Sequence, residues 1–455
     1  MTVRPTACAR PGLFAALALA LLAPIATAAS SSTLKREVIA ALAEGRVAAA
    51  RDAVQRLERE GDRSAANALI DLLTRLPDGE VREAVAQALS RMPQPEAAQA
   101  IAQKLRGGSV ARRLLLADVA AHRSDPATRE ALIACLRHND DALVRAATRA
   151  LVQRREPEAV EPLIDLLERR EGKPGSGAGL IRRALEELTG KSLYLAIEWR
   201  SWWTAHKDEG LPGREAAMEA IEKSEGSGGT QSRFFGRELA SDRIVFVIDV
   251  SGSMQKKDPV PDDGASLSGD GPPRTTSRVR LERAKAELLG AIDGLPETAR
   301  FTIIAYSGYL PPGTPQPPGI TLPNEHNWLR LLSKRLVRAD AKGKEKAKRF
   351  VEGLKAIGST FTGRAIEAAL EIRDADLIVL LSDGEPTEWV DDGGHVKRLS
   401  ADEVRERIRA ANRSHRITID TFGFEGGDFA GGDDRFTRFM KGVAEDNGGR
   451  FSPIH

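Results

Sequence analysis

The sequence predicts a multidomain chain, an all-α solenoid followed by a doubly wound α/β domain. Three observations predict it: apolar residues three and four apart through the first half, recurrence of that pattern at a fixed interval, and a change beyond Phe234 to short apolar strands alternating with amphipathic helices. At 455 residues the chain has room for two or three domains, each with its own core. Its 67 basic and 65 acidic side chains leave a net charge of +2. A nucleic-acid binder is expected to carry a basic excess, so nucleic acid is not an expected partner.

The first element, residues 1–28, is predicted to be a signal peptide. Arg4 and Arg10 give a positive start, Gly12 to Ala23 is a short apolar run, and Ala26-Thr27-Ala28 fits the small-x-small cleavage rule. The mature chain is expected to begin near Ala29 and to be periplasmic or secreted. The apolar run falls short of the roughly 20 residues a membrane helix needs, and no later stretch approaches that length, so no membrane span is expected after cleavage. No cysteine stands at the cleavage point for lipid attachment. Of the two cysteines, Cys8 leaves with the signal and Cys135 remains alone in an apolar helical pattern, where it reads as a small core residue.

Residues 29–207 repeat. Segments ending at Leu73, Leu105, Leu136 and Leu167 recur at intervals of 32, 31 and 31 residues, and each is followed by a second amphipathic stretch, beginning at Val81, Val110, Leu143 and Leu180. A helix pair of this kind cannot bury its apolar stripe alone and must stack on its neighbours, which is the physics of an α-solenoid. The pattern of apolar spacing resembles HEAT-type repeats. Trp199, Trp202 and Trp203 follow at helical spacing and are expected to form a terminal helix that seals the open end. The next span, 208–236, holds the Gly/Ser-rich stretch 224–230 and is predicted to be a flexible linker that lets the two halves reorient.

Residues 237–455 carry the strand candidates RIVFVIDV, RFTIIAYS, DLIVLLSD and RITIDTFGF, separated by helical stretches such as Arg280 to Leu295 and Asp402 to Asn412. Continuous apolar strands alternating with helices predict a mainly parallel sheet covered on both faces, and such sheets bind ligands at the carboxyl ends of their strands. Two Pro-, Gly- and Asp-rich insertions, 255–277 and 310–323, are expected to be surface loops near that rim.

The rim is where the chemistry-bearing residues fall. Asp249, Ser251 and Ser253 follow the first strand, Asp383 follows the third, and Thr360 lies in a Gly-Ser-Thr loop that opens a helix between them. A set of two carboxylates and three hydroxyls is oxygen-only, which selects Mg²⁺, or Mn²⁺ and Ca²⁺, over softer metals. Asp258, Asp262 and Asp263 in the neighbouring insertion are weaker candidates for a second cation. Gly358-x4-Gly363 has the glycine spacing of a phosphate loop but is followed by Arg364-Ala365 instead of Lys-Ser/Thr, and Gly190-Lys191-Ser192 lacks the upstream glycine, with Leu185 in its place. No HExxH or GxSxG motif occurs.

Asp249-Val250-Ser251-Gly252-Ser253-Met254, the loop Gly358 to Gly363 and Ser382-Asp383-Gly384, in this order and at these junctions, resemble the metal-ion-dependent adhesion site (MIDAS) of von Willebrand factor A (VWA) domains. The resemblance spans about 220 residues, Phe234 to His455, and Ser359 stands where many relatives have glycine. It implies a Rossmann-like fold in which Asp249, Ser251, Ser253, Thr360 and Asp383 form the metal site. The serines and threonine bind the ion directly or through water, the aspartates support it, and an acidic residue of a protein ligand completes its coordination. The expected function is that of an exported, noncatalytic adaptor that captures a Glu or Asp side chain of a partner protein, since hydrolysis would need a positioned base and a leaving-group acid as well. The alternatives are an accessory subunit of an ATP-driven or metal-inserting complex, or a structural scaffold acting through the repeats.

Overall fold

The structure, a computed structural model, describes residues 30–224, 232–258, 275–315, 318, 321–424 and 435–454. The expected signal peptide, most of the Gly/Ser-rich stretch, most of the first insertion, Asp262 and Asp263 included, and residues 316, 317, 319 and 320 of the second lie outside the described residues. No described helix is long and apolar enough to cross a membrane.

The first half is a stack of antiparallel helices: α1 (Ser31–Ala43), α2 (Val47–Glu60), α3 (Arg63–Arg75), α4 (Glu80–Arg91), α5 (Pro95–Arg106), α6 (Val110–Ala121), α7 (Pro126–Cys135), α8 (Asp141–Arg154), α9 (Val160–Arg170), α10 (Ala178–Thr189) and α11 (Ala196–His206). The repeating pairs are α3/α4, α5/α6, α7/α8 and α9/α10, with α1/α2 as one more pair ahead of them. Boundaries follow local chemistry. Asp62, Ser109, Asp125 and Asp140 each accept a hydrogen bond from the third residue onward, supplying an orphan donor of the first turn. One continuous apolar core runs from Leu34 to Trp203. Trp199 and Trp203 are buried in it from α11, and Trp202 packs against it partly buried. Cys135 is buried there too, and burial pushes its thiol up, as befits an inert core residue.

Within 208–236 the structure forms α12 (Arg214–Ser224), which buries Ala217 and Ile221, and a short hairpin of β1 (Arg233–Phe234) and β2 (Arg237–Glu238). The second half is a seven-stranded sheet built from β3 (Arg243–Asp249), β4 (Arg300–Tyr306), β5 (Leu329–Leu331), β6 (Val337–Arg338), β7 (Leu377–Ser382), β10 (Thr418–Phe424) and β11 (Phe451–Ile454), in the order β11-β10-β7-β3-β4-β5 with β6 also on β4. Strands β3, β4, β7, β10 and β11 are parallel, and β5 and β6 run antiparallel to β4 at the edge. A separate hairpin, β8 (Trp389–Asp392) and β9 (His395–Arg398), follows β7. Helices α13 (Arg280–Asp293), α14 (Ala341–Glu352), α15 (Thr362–Leu370), α16 (Ala401–Asn412) and α17 (Arg435–Asp446) cover the sheet. The buried residues fall into two layers: α13 and α14 belong to the cluster on one face, and α15, α16 and α17 to the cluster on the other. The central strands are buried on both sides, which is why β3, β4 and β7 are almost unbroken apolar runs.

Free reorientation of the halves, expected from the Gly/Ser-rich stretch, is corrected by their interface. Arg183 on α10 makes a bidentate pair with Asp420 on β10, both N–O distances 2.7 Å and both residues buried. Arg416 reaches Asp118 on α6, Arg243 reaches Asp141 on α8, and Arg450 reaches Glu187 on α10. At Gly179 the helix backbone comes so close that an added Cβ would lie 2.4 Å from the Ala240 carbonyl oxygen. A covalent connection of loose composition leaves two bodies free only when they do not bury charge and backbone against each other, and these two do.

Candidate metal site

The two halves meet at the base of the sheet, and the candidate ligands lie at its other end. Arg243 opens β3, while Asp376, Arg416 and Arg450 stand just before β7, β10 and β11. Asp249 closes β3, and Asp383 follows β7 directly. Strands β3 and β7 are neighbours in parallel register, Ile248 beside Leu381, so both carboxylates emerge together on the carboxyl rim.

Three loops are stitched together there. The Gly252 amide donates to the Gly358 carbonyl at 2.9 Å and the Ile357 amide to the Val250 carbonyl at 2.8 Å, joining the loop after β3 to the loop before α15. The Thr360 amide donates to the Thr387 hydroxyl, and the Thr387 amide returns a bond to the Thr360 carbonyl, both at 2.8 Å, joining that loop to the segment after β7. Gly358 makes the approach feasible: its φ is +87°, and a Cβ there would lie 2.4 Å from the Gly308 carbonyl oxygen.

Within this frame the predicted ligands are contiguous. The Ser251 amide donates to Asp249 Oδ1 at 2.7 Å, the Ser251 and Ser253 hydroxyls are 3.0 Å apart, and the Ser253 hydroxyl donates to Asp383 Oδ1 at 2.6 Å. Thr360 is buried in the adjoining loop, and among the described residues no side-chain bond engages its hydroxyl. The structure thus joins Asp249, Ser251, Ser253 and Asp383 by hydrogen bonds and brings the loop of Thr360 alongside through the Gly252–Gly358 bond. Asp249 is fully buried, and that burial together with the charge of Asp383 lifts its carboxyl to about 7. Two carboxylates drawn together out of water repel each other, and a divalent cation supplies the missing counter-charge. The donor set therefore fits a hard dication. Among the described residues no cluster of three or more His, Cys, Asp and Glu side chains is placed to hold a metal, so any such ion must draw on hydroxyls.

Four further residues belong to the site and were not singled out from the sequence. The Ser382 hydroxyl donates to Asp249 Oδ2 at 2.6 Å, which leaves Asp249 oriented by Ser251 on one side and Ser382 on the other. Thr387 fixes the loop that presents Thr360. Glu388 is buried under the start of α15, where it accepts from the Gly363 amide and faces Arg407 at 3.9 Å; burial pushes its carboxyl up. Arg280, buried at the start of α13, donates to Asp383 Oδ2 at 2.9 Å and to Asp258 Oδ1 at 2.8 Å. Arg283 also binds Asp258, so that carboxylate is committed to two guanidinium groups and does not suit a second cation. Ser382, directly before Asp383 at the end of β7, is the only one of these signals visible in sequence, because Arg280 and Asp383 are 103 positions apart.

No protein-family model matches the chain. The chain is similar to human inter-alpha-trypsin inhibitor heavy chain H4, 25% identical over 224 residues, which is 47% of this chain and 18% of that protein. Among solved structures it is similar to a von Willebrand factor type A protein from Catenulispora acidiphila, with 22% identity, a TM-score of 0.30 and coverage of 47% of this chain and 38% of that one. It is also similar to proximal thread matrix protein 1 from the mussel byssus, with 16% identity, a TM-score of 0.27 and coverage of 46% and 41%. The chain thus spans less than a fifth of the curated relative it matches, and each likeness extends over just under half of its own length.

Proposed function

We propose that the α/β half is a VWA-type domain whose rim holds Mg²⁺, or Mn²⁺ or Ca²⁺, through Asp249, Ser251, Ser253, Thr360 and Asp383. The ion captures an acidic side chain of a partner protein, and the chain is a noncatalytic adaptor that works outside the cytoplasm. The observation that carries this reading is the convergence of two carboxylates and three hydroxyls from three hydrogen-bonded loops on the carboxyl rim of a parallel sheet. The bound ion would supply an electrophilic position for a carboxylate, at a modest cost in dehydration. The chain's own residues do the rest: Ser251 and Ser382 orient Asp249, Ser253 links to Asp383, and Thr387 places Thr360. Arg280 neutralises part of the charge on Asp383, so a loaded dication keeps more of its attraction for an outside acid. The described contacts of the solenoid fall at the base of the sheet, at the opposite end from the candidate site.

The test is capture of partner proteins from envelope extract by the full chain, with Mg²⁺ and with EDTA. Asp249→Ala and Ser251→Ala should each abolish Mg²⁺-dependent capture and calorimetric uptake of Mg²⁺ while leaving circular dichroism unchanged. Capture that survives both substitutions and the chelator would refute the reading.

A further inference from the structure

The interface between the halves holds a partly open cavity of about 100 Å³, lined by α8 and α10 on one side and the base of the sheet on the other. Six arginines reach it: Arg145, Arg149, Arg170, Arg183, Arg243 and Arg416. Four have carboxylates. Arg183 faces Asp420, Arg243 faces Asp376 and Asp141, Arg170 shares Asp141, and Arg416 faces Asp118. Glu187, which also lines the cavity, faces Arg450.

Arg145 and Arg149 differ. Arg145 donates to the carbonyls of Arg416 and His415, each at 2.8 Å, and Arg149 donates to the carbonyls of Glu445 and Asp446 at the end of α17. Among the described residues neither has a carboxylate within ion-pair distance. Carbonyl dipoles compensate a guanidinium only in part, and burial pushes both groups below their ordinary values. A second sign of unmet demand lies in the same wall: the buried Nε–H of Arg416 has no hydrogen-bond acceptor among the described residues. The rest of the lining mixes apolar residues such as Val144 and Leu180 with Thr148, Thr418 and Asn447, and its two carboxylates, Asp376 and Glu187, are each paired with an arginine.

We propose that this cavity binds a small oxyanion of the phosphate or sulfate class, which bridges the solenoid and the sheet. Arginine suits that role because its planar donors match the oxygens of such an anion. The site is remote from the rim and independent of any metal there.

Calorimetry on the full chain tests it, titrating inorganic phosphate and, in a second arm, sulfate, at fixed ionic strength set with chloride. EDTA is present throughout, so that no rim-bound metal takes up the anion. Saturable binding of either oxyanion is expected, and the arm that binds more tightly identifies the class. Arg145→Met with Arg149→Met should weaken it by about tenfold or more. Thr148→Phe, which fills the cavity from its lining without removing charge, should do the same and serves if the double variant does not fold. Absence of saturable binding in the wild-type chain, or unchanged affinity in every folded variant, overturns the proposal.

Discussion

The charge balance at Asp383 rests on one arginine. Its Oδ1 takes the Ser253 hydroxyl and its Oδ2 takes Arg280, so the candidate site holds two carboxylates and a guanidinium that offsets one of them. Removing the guanidinium changes two affinities in opposite directions. Arg280→Met should raise Mg²⁺ affinity about tenfold, on the order of 1.4 kcal/mol, because the ion meets two uncompensated carboxylates. The same change should weaken carboxylate capture, because the loaded ion is then less electrophilic. Parallel calorimetry with Mg²⁺ and with an acidic ligand peptide checks both, and a fall in both affinities would show Arg280 to be structural. At this scale the sequence carried the five candidate ligands, since each sits at a strand end or helix start that periodicity alone defines. It did not carry Arg280, whose partners are brought to it only by folding.

Elements were legible to the extent that their period was. The strands β3, β4, β7 and β10 and the repeating helix pairs lie where apolar spacing puts them, because each buries a full face or stripe. The edge strands β5 and β6 and the closing strand β11 were not anticipated; they have two to four residues, too few to show a period. Helix α17 is tied to the solenoid at its C-terminal end by Arg149, whose guanidinium donates to the Glu445 and Asp446 carbonyls of the last turn. Arg149→Met should therefore speed hydrogen exchange across α17 while leaving α1 to α6 unaffected. Mass-spectrometric exchange on the full chain measures it, and equal protection in α17 would remove the solenoid from any role in holding that helix.

The whole molecule is one body because its halves share buried charge. Burial alone would push the Asp420 carboxyl up, but the Arg183 guanidinium, with the Arg450 amide and charge, outweighs it and holds the group below the usual carboxylate range. A depressed carboxyl contributes stability that is present above its unfolded value and is lost as the pH falls toward its folded one. Thermal melts of the full chain should therefore lose the contribution of this pair only at pH below the ordinary carboxylate range. Asp420→Ala, which strands Arg183 in the interface, should cost about 3–5 kcal/mol at neutral pH. A variant as stable as the parent would show that the two halves do not depend on this contact. The arginines that make the interface were illegible in sequence because a basic residue on a solenoid helix looks the same whether it faces water or a second domain.

The placement of the solenoid at one end of the sheet and the candidate site at the other sets the direction in which the molecule bears load. If a tether holds the helical half and a captured protein pulls on the rim, tension runs lengthwise along β3 and β7, and the ladder between these strands is strained in shear, with its rungs sharing the force together. The Arg183–Asp420 pair joins the helical half to β10, the neighbour of β7, so it is one of the bonds through which such a load passes between the halves.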